Sequence, residues 1–214
     1  MRPSGKPSLL LLERNLLHLV SGSILPVCAL LVPYNRLTPI VKVGDSQGVS
    51  SVLVWVAAAA LTVALVCELF RFAYPPFNEW LLRRFGVFSK GRERFRVTGA
   101  TYLLIGALGA FVLFDYRIAA LALLYLSIAD PVAAFVGARY GRFRIGVKSL
   151  EGSLAFLAAS LAIAAIFTAT GTVWPFWRVG IGALAATLVE ALPLPIDDNI
   201  TIPLSAGAVL AVLS

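Results

Sequence analysis

Val49–Phe70 reads VSSVLVWVAAAALTVALVCELF, and Glu68 is its one charged residue. A run of that length matches the roughly 20 apolar residues a helix needs to cross a bilayer. The rest of the chain repeats the pattern. Of 214 residues, 59% are hydrophobic and 14% charged, with a mean hydropathy of +0.89. An ordinary soluble domain is about 25% charged. These figures exclude a water-soluble fold, a disordered chain, a collagen-like fibre and a secreted disulfide scaffold. An integral membrane protein remains.

The apolar runs, read against Pro, Gly and charged breakers, predict seven spans. They cover Leu16–Val32, Val49–Phe70, Thr98–Phe114, Ile118–Val136, Leu150–Thr168, Val179–Leu192 and Ile200–Leu213. The expected fold is all-α and polytopic, a single membrane-embedded domain over residues 1–214 with no repeat or low-complexity tract. The last two spans are short for a bilayer. Ser8–Asn15 is expected to extend the first helix on the membrane surface. The Leu9–Leu12 run is broken by Glu13, Arg14 and Asn15, so it is not a signal-peptide core and the N-terminus is expected to stay in the mature chain. Cys28 and Cys67 have no partner at metal-ligand spacing and read as small packing residues.

The net charge of +7 would point to nucleic acid in a soluble protein. Here it fits the Lys and Arg excess of cytoplasmic loops, and no nucleic-acid partner is expected. With seven spans, the N-terminus and the 2–3, 4–5 and 6–7 loops share one side, which holds 14 of the 18 Lys and Arg. Arg36, Lys42, Arg117 and Arg178 lie on the other. That bias places the N-terminus in the cytoplasm. All acids but Asp45 and Asp115 fall in the same half. The positive-inside rule does not ask for carboxylates there, so the cytoplasmic face uses both signs.

Glu68, Asp130, Glu151 and Glu190 sit inside spans or at their ends. An acid at membrane depth costs roughly 2.5–3.5 kcal/mol and is a functional candidate by default. The plainer reading of Glu68 is an ion pair with Arg71, three residues on. Asp130 precedes Pro131, which disturbs helix hydrogen bonding, and irregular backbone at depth is tolerated where it lines a cavity.

Asp130–Ser153, DPVAAFVGARYGRFRIGVKSLEGS, is the richest stretch. Gly137, Gly141, Gly146 and Gly152 permit close backbone approach to a phosphate, and a helix start adds positive partial charge. Arg139, Arg142, Arg144 and Lys148 supply countercharge, and carboxylates beside such a site hold Mg²⁺. The competing reading is a basic loop on anionic head groups. The pattern is not a Walker A loop.

Asp197-Asp198-Asn199 suits a hard cation or a base acting on a hydroxyl; the alternative is a polar turn capping a helix before Ile200. Arg83, Arg84, Lys90 and Arg92, mixed with Trp80, Phe85 and Phe88, belong along the head groups. Arg94 and Arg96, near Thr98–Thr101, could reach a nucleotide. His18 reads as a packing or hydrogen-bonding residue.

In this order the residues resemble the polyprenol kinase family, the membrane lipid-alcohol kinases that include dolichol, phytol and farnesol kinases and a CTP-dependent diacylglycerol kinase. The resemblance centres on Asp130-Pro131-x-Ala133-Ala134-x-x-Gly137-x-Arg139-x-Gly141. It continues through Lys148-Ser149-Leu150-Glu151-Gly152-Ser153-Leu154-Ala155 and Asp197-Asp198-Asn199-Ile200-Thr201-Ile202-Pro203-Leu204. Weaker similarity runs through Arg14–His18, Glu68 with Pro75–Asn78, and Arg94 with Thr98–Tyr102. Ala138 stands where the family often has a second basic residue, leaving Arg139 as the better phosphate ligand there.

The resemblance implies a membrane-embedded catalytic domain that transfers phosphoryl from a nucleoside triphosphate, typically CTP, to the hydroxyl of a lipid alcohol, with Mg²⁺. Such chemistry needs positioning and charge neutralisation more than covalent help. The expected nucleotide site is Arg94, Gly137, Arg139, Gly141, Lys148, Ser149, Gly152 and Ser153. Some of Asp130, Glu151, Asp197 and Asp198 would hold Mg²⁺, and Asp198 or Asp130 would orient or deprotonate the hydroxyl, with Lys148 at the phosphates. Glu68, Glu190, Asn199 and His18 are further candidates. The lipid tail would stay in the bilayer, with the active site facing the cytoplasm. Two rival readings are a cytidylyltransferase moving CMP to a lipid phosphate, and a small cation- or proton-coupled transporter.

Overall fold

The computed structural model describes residues 9–31, 51–84, 97–170 and 174–214. Within them each expected span coincides with one helical rod. These are α1 (Leu9–Leu31), α2 (Ser51–Ala73), α4 (Gly99–Leu113), a central rod joining α5 (Tyr116–Leu124) to α6 (Asp130–Tyr140), α7 (Leu150–Ala169), α8 (Phe176–Ala191) and α9 (Asp198–Leu213). A short helix, α3 (Pro75–Arg84), follows α2, opening on prolines that suit a first helical turn. The protein is an all-α membrane protein. Val52–Ala73, Tyr116–Tyr140 and Leu150–Ala169 are long and apolar enough to cross a membrane, and Leu19–Leu31, Gly99–Leu113 and Asp198–Leu213 are shorter apolar helices. The first helix continues unbroken back through Glu13 and Arg14 to Leu9.

The central rod is the hub. Ile118 to Leu126 are all buried, with α1 and α4 against one side and α7 and α9 against others. One apolar core joins Ala29, Leu53, Phe111 and Leu123; a second joins Leu121, Tyr125, Phe156, Ala183 and Ile202. The Tyr125 hydroxyl donates to the Val179 carbonyl at 2.8 Å, tying α8 to the hub. Lipid tails are as apolar as a leucine surface, so such helices gain most from small residues that let backbones approach. Gly106 is one: a Cβ there would run into the Asn199 carbonyl oxygen where α4 meets α9.

Between α5 and α6 the rod takes a π-helical turn, Tyr125–Ala129, directly before Asp130 and Pro131. Proline removes a hydrogen bond and crowds the carbonyl four residues back. A π turn is one way a helix absorbs such a defect without breaking, and it often marks a functional site. The irregularity expected at Asp130 therefore falls one turn earlier.

Two details differ from expectation. Cys28 and Cys67 are exposed on the outer faces of α1 and α2 rather than packed between helices. A small thiol gains little by turning inward when the outside is as apolar as the inside. The connection from α6 to α7, the loop between the fourth and fifth spans, also carries a small antiparallel hairpin, β1 (Arg144–Ile145) and β2 (Lys148–Ser149). Its alternation was hidden within a run rich in glycine and arginine.

Candidate functional site

Three helix-to-helix connections meet at one end of the bundle. Lys148, just before α7, reaches the end of α8 and the start of α9. Its Nζ donates to the Glu190 carbonyl, lies 3.5 Å from Glu190 Oε1 and pairs with Asp198 Oδ2 at 2.8 Å. Glu190 is almost fully buried, and its other oxygen accepts from the Ser153 hydroxyl at 2.8 Å. The Asp198 side chain is 32% exposed, so the cluster runs from the interior to the surface. Asn199, next along, donates from Nδ2 to the Gly99 carbonyl at 3.4 Å, which brings the start of α4 to the same end.

The α2–α4 junction carries a second cluster. Glu68 Oε2 accepts from Arg71 Nε at 2.9 Å and Nη2 at 2.6 Å. Its Oε1 accepts from the Thr98 backbone N–H at 2.7 Å and the Thr101 hydroxyl at 3.2 Å. Glu68, Arg71 and Thr101 are buried. The i+3 pair read from the sequence is present, and the two threonines complete it. They were legible only as neighbours of a basic loop, although a buried carboxylate needs more donors than one arginine provides.

Ser149 caps α7, its hydroxyl accepting from the Gly152 N–H at 3.1 Å. A Cβ on Gly137 or on Gly141 would come within 2.8 Å of that hydroxyl, and one on Gly152 within 3.1 Å. In this structure the close approach these glycines permit is that of α6 to the start of α7. Gly146 takes φ 60°, the left-handed value a two-residue hairpin turn needs at its first position.

The other expected ligands divide. Glu151 Oε1 accepts from the Arg142 N–H at 2.9 Å and the Phe143 N–H at 3.3 Å, anchoring the hairpin. Asp197 caps α9, accepting from the Asn199 N–H at 3.0 Å, so the capping alternative describes its geometry. Arg139 is exposed on the last turn of α6, its guanidinium 5.5 Å from the Tyr140 ring centroid. Asp130 begins α6, half-buried. Arg94 lies outside the described residues, as does the side chain of His18.

Among the described residues no three His, Cys, Asp or Glu side chains converge as a metal cage. Mg²⁺ bound with a nucleotide takes one or two carboxylates and fills its shell with phosphate and water. Asp198, partly exposed beside Lys148, has the chemistry for one of them.

No protein-family model matches the chain, and no solved structure does. Curated relatives exist nonetheless. A probable chloroplastic phytol kinase 1 of Glycine max is 34% identical over 123 residues, covering 50% of this chain and 41% of that protein. A phytol kinase of Synechocystis is 34% identical over 114 residues, 50% of this chain and 48% of that protein. A CTP-dependent diacylglycerol kinase 1 of Schizosaccharomyces pombe is 25% identical over 170 residues, 69% of this chain and 74% of that protein. The chain thus spans under half the length of the two phytol kinases it matches. The resemblance read from the sequence is supported: the chain is similar to phytol kinases and CTP-dependent diacylglycerol kinases at 25–34% identity.

Proposed function

We propose that this protein is a membrane lipid-alcohol kinase that moves the γ-phosphoryl of CTP to the hydroxyl of an isoprenoid alcohol or of diacylglycerol. The observation that carries the reading is Lys148, from the α6–α7 connection, held between Glu190 and Asp198 on the two sides of the α8–α9 connection, at one end of an apolar bundle. Phosphoryl transfer asks for a cation on the phosphates and a carboxylate near the attacking hydroxyl. Lys148 and Arg139 are the cations for the triphosphate, joined by Arg94 from the 2–3 loop. Asp198 or Asp130 orients or deprotonates the lipid hydroxyl. Gly137, Gly141, Ser149, Gly152 and Ser153 form the helix junction against which the nucleotide lies.

Some of Asp130, Glu151, Asp197 and Asp198 would hold Mg²⁺, which would supply neutralisation of the charge on the transferring phosphoryl group. The alcohol's tail remains among lipids while its hydroxyl meets the nucleotide at the cytoplasmic boundary. The seven rods, the N-terminus in the cytoplasm and the active site on that face form one consistent topology, supported by the Lys and Arg bias. The names of the relatives support CTP as donor and a lipid as acceptor.

The test is an assay of the purified chain with γ-labelled CTP, Mg²⁺ and, in turn, phytol, farnesol, geranylgeraniol, a polyprenol and diacylglycerol. Label in the lipid is expected. Label in pyrophosphate, with CMP joined to a lipid phosphate, would assign the cytidylyltransferase reading instead.

A further inference from the structure

The hairpin beside Lys148 has a feature that phosphate binding does not use. Phe143, Ile145 and Val147 are exposed on it, Phe143 at 68% and Val147 at 85%. Leu192, Leu194 and Ile196 are exposed on the connection from α8 to α9. The two segments touch: a Cβ on Gly146 would lie 3.6 Å from Pro193 Cβ. All six apolar residues lie beyond the ends of α6, α7, α8 and α9, so the exposed sides of those helices do not account for them.

The hairpin is also held in place. Glu151 takes both N–H groups at its root, the Leu150 N–H donates to the Phe143 carbonyl at 2.9 Å, and Lys148 is tied to Glu190 and Asp198. A fixed, exposed apolar patch at the end of a membrane bundle has a purpose other than folding.

We propose that the 143–147 hairpin and the 192–196 connection form a lip that sits in the head-group–acyl boundary of the bilayer. Two observations select lipid as the occupant. Next along the chain from the two segments, Leu150 and Leu154 in the first turns of α7 and Leu188 in the last turn of α8 are exposed as well, as apolar side chains that face lipid are. Arg142 before Phe143, and Arg144 between Phe143 and Ile145, are both exposed and supply cations at the level of anionic head groups, as interfacial segments do. The lip adjoins Lys148 and Asp198, so a lipid alcohol sliding along it delivers its hydroxyl to the cluster. This last step rests on the kinase reading; the seating of the lip in the bilayer does not.

The experiment uses the full chain in nanodiscs of phosphatidylcholine with a minority of phosphatidylglycerol. In a Cys28→Ala, Cys67→Ala background, spin labels are placed through Val147→Cys or Leu194→Cys. Both labels are expected to collide with oxygen in preference to a water-soluble nickel chelate. Free access of the chelate to both labels overturns the proposal. So does shielding from both reagents in native membranes, which means that a protein covers the patch. In the kinetic arm, Val147→Ser with Ile196→Ser is expected to raise KM for a membrane-borne long-chain alcohol roughly tenfold. KM for CTP and for a water-soluble short-chain alcohol should not move; equal changes for both alcohols overturn the delivery role. If the wild type transfers no phosphoryl group, the kinase reading fails and the spin labels alone decide the lip.

Discussion

The Glu68 and Lys148 clusters stand at the same end of the bundle and are built on opposite principles. At Glu68, one carboxylate meets one guanidinium from its own helix, and four donors fill its two oxygens. Both charges are buried and balanced. At Lys148, one ammonium from the α6–α7 connection stands between two carboxylates from the end of α8 and the start of α9, and one of these reaches the surface. One ammonium faces two carboxylates there, so the three side chains together carry surplus negative charge. A closed, balanced ion pair fixes α2 to α4. An open one with surplus negative charge is suited to exchanging partners, which a site for a metal-bearing nucleotide must do. The difference lies in saturation and not in the type of residue.

Removing the cation from each cluster sharpens that contrast. Lys148→Ala is expected to abolish lipid phosphorylation, a loss of more than about a thousandfold, with the protein still folded by its elution and melting in detergent. Asp198→Ala should do the same. Near wild-type turnover in either variant would remove the cluster from the catalytic machinery. Arg71→Ala should act on the other axis. It leaves Glu68 buried without its countercharge, a destabilisation of about 3–5 kcal/mol, seen as a lower melting temperature while turnover per folded molecule changes little. A selective loss of turnover there, with melting unchanged, would show that Glu68 also belongs to the chemistry.

How these clusters could be read in the sequence follows the distance each contact covers along the chain. The Glu68–Arg71 pair is three residues apart on one helix and was legible at once. The long apolar helices among the described residues were equally plain, because 59% apolar content leaves few other folds. Asp197 could be recognised as a cap from Asp-Asp-Asn before an apolar run. Lys148 with Glu190 was not legible, since nothing local links residues 42 apart; only their shared face could be inferred. The hairpin was hidden because its strands are two residues each, too short for periodicity to register. The cysteines were misread because burial rules drawn from water-soluble proteins lose their force in lipid.

Ser153→Ala tests the buried half of the open cluster. It removes the hydroxyl that donates to Glu190 and leaves a buried carboxylate oxygen one donor short, at about 1–3 kcal/mol. If Glu190 serves by holding Lys148, the variant should be less stable and also raise KM for CTP several-fold. Ser153→Thr, which restores a hydroxyl, should recover part of both. A fall in stability with an unchanged KM would make Glu190 a structural anchor like Glu68, and the contrast between the clusters would narrow to Asp198.

The smallest expected effect lies on the seam between the two clusters. Asn199 reaches the Gly99 carbonyl at 3.4 Å, long for a hydrogen bond and therefore weak. The backbones of α4 and α9 are already pressed together at Gly106, where only a glycine fits against the Asn199 carbonyl. Asn199→Ala removes the weak bond and leaves that backbone contact intact, so it should cost no more than about 0.5–1 kcal/mol. Gly106→Ala, by contrast, forces the helices apart beside Asp198 and should lower both melting temperature and turnover. Equal effects from the two variants would mean that the Asn199 side chain, and not helix packing, couples the clusters.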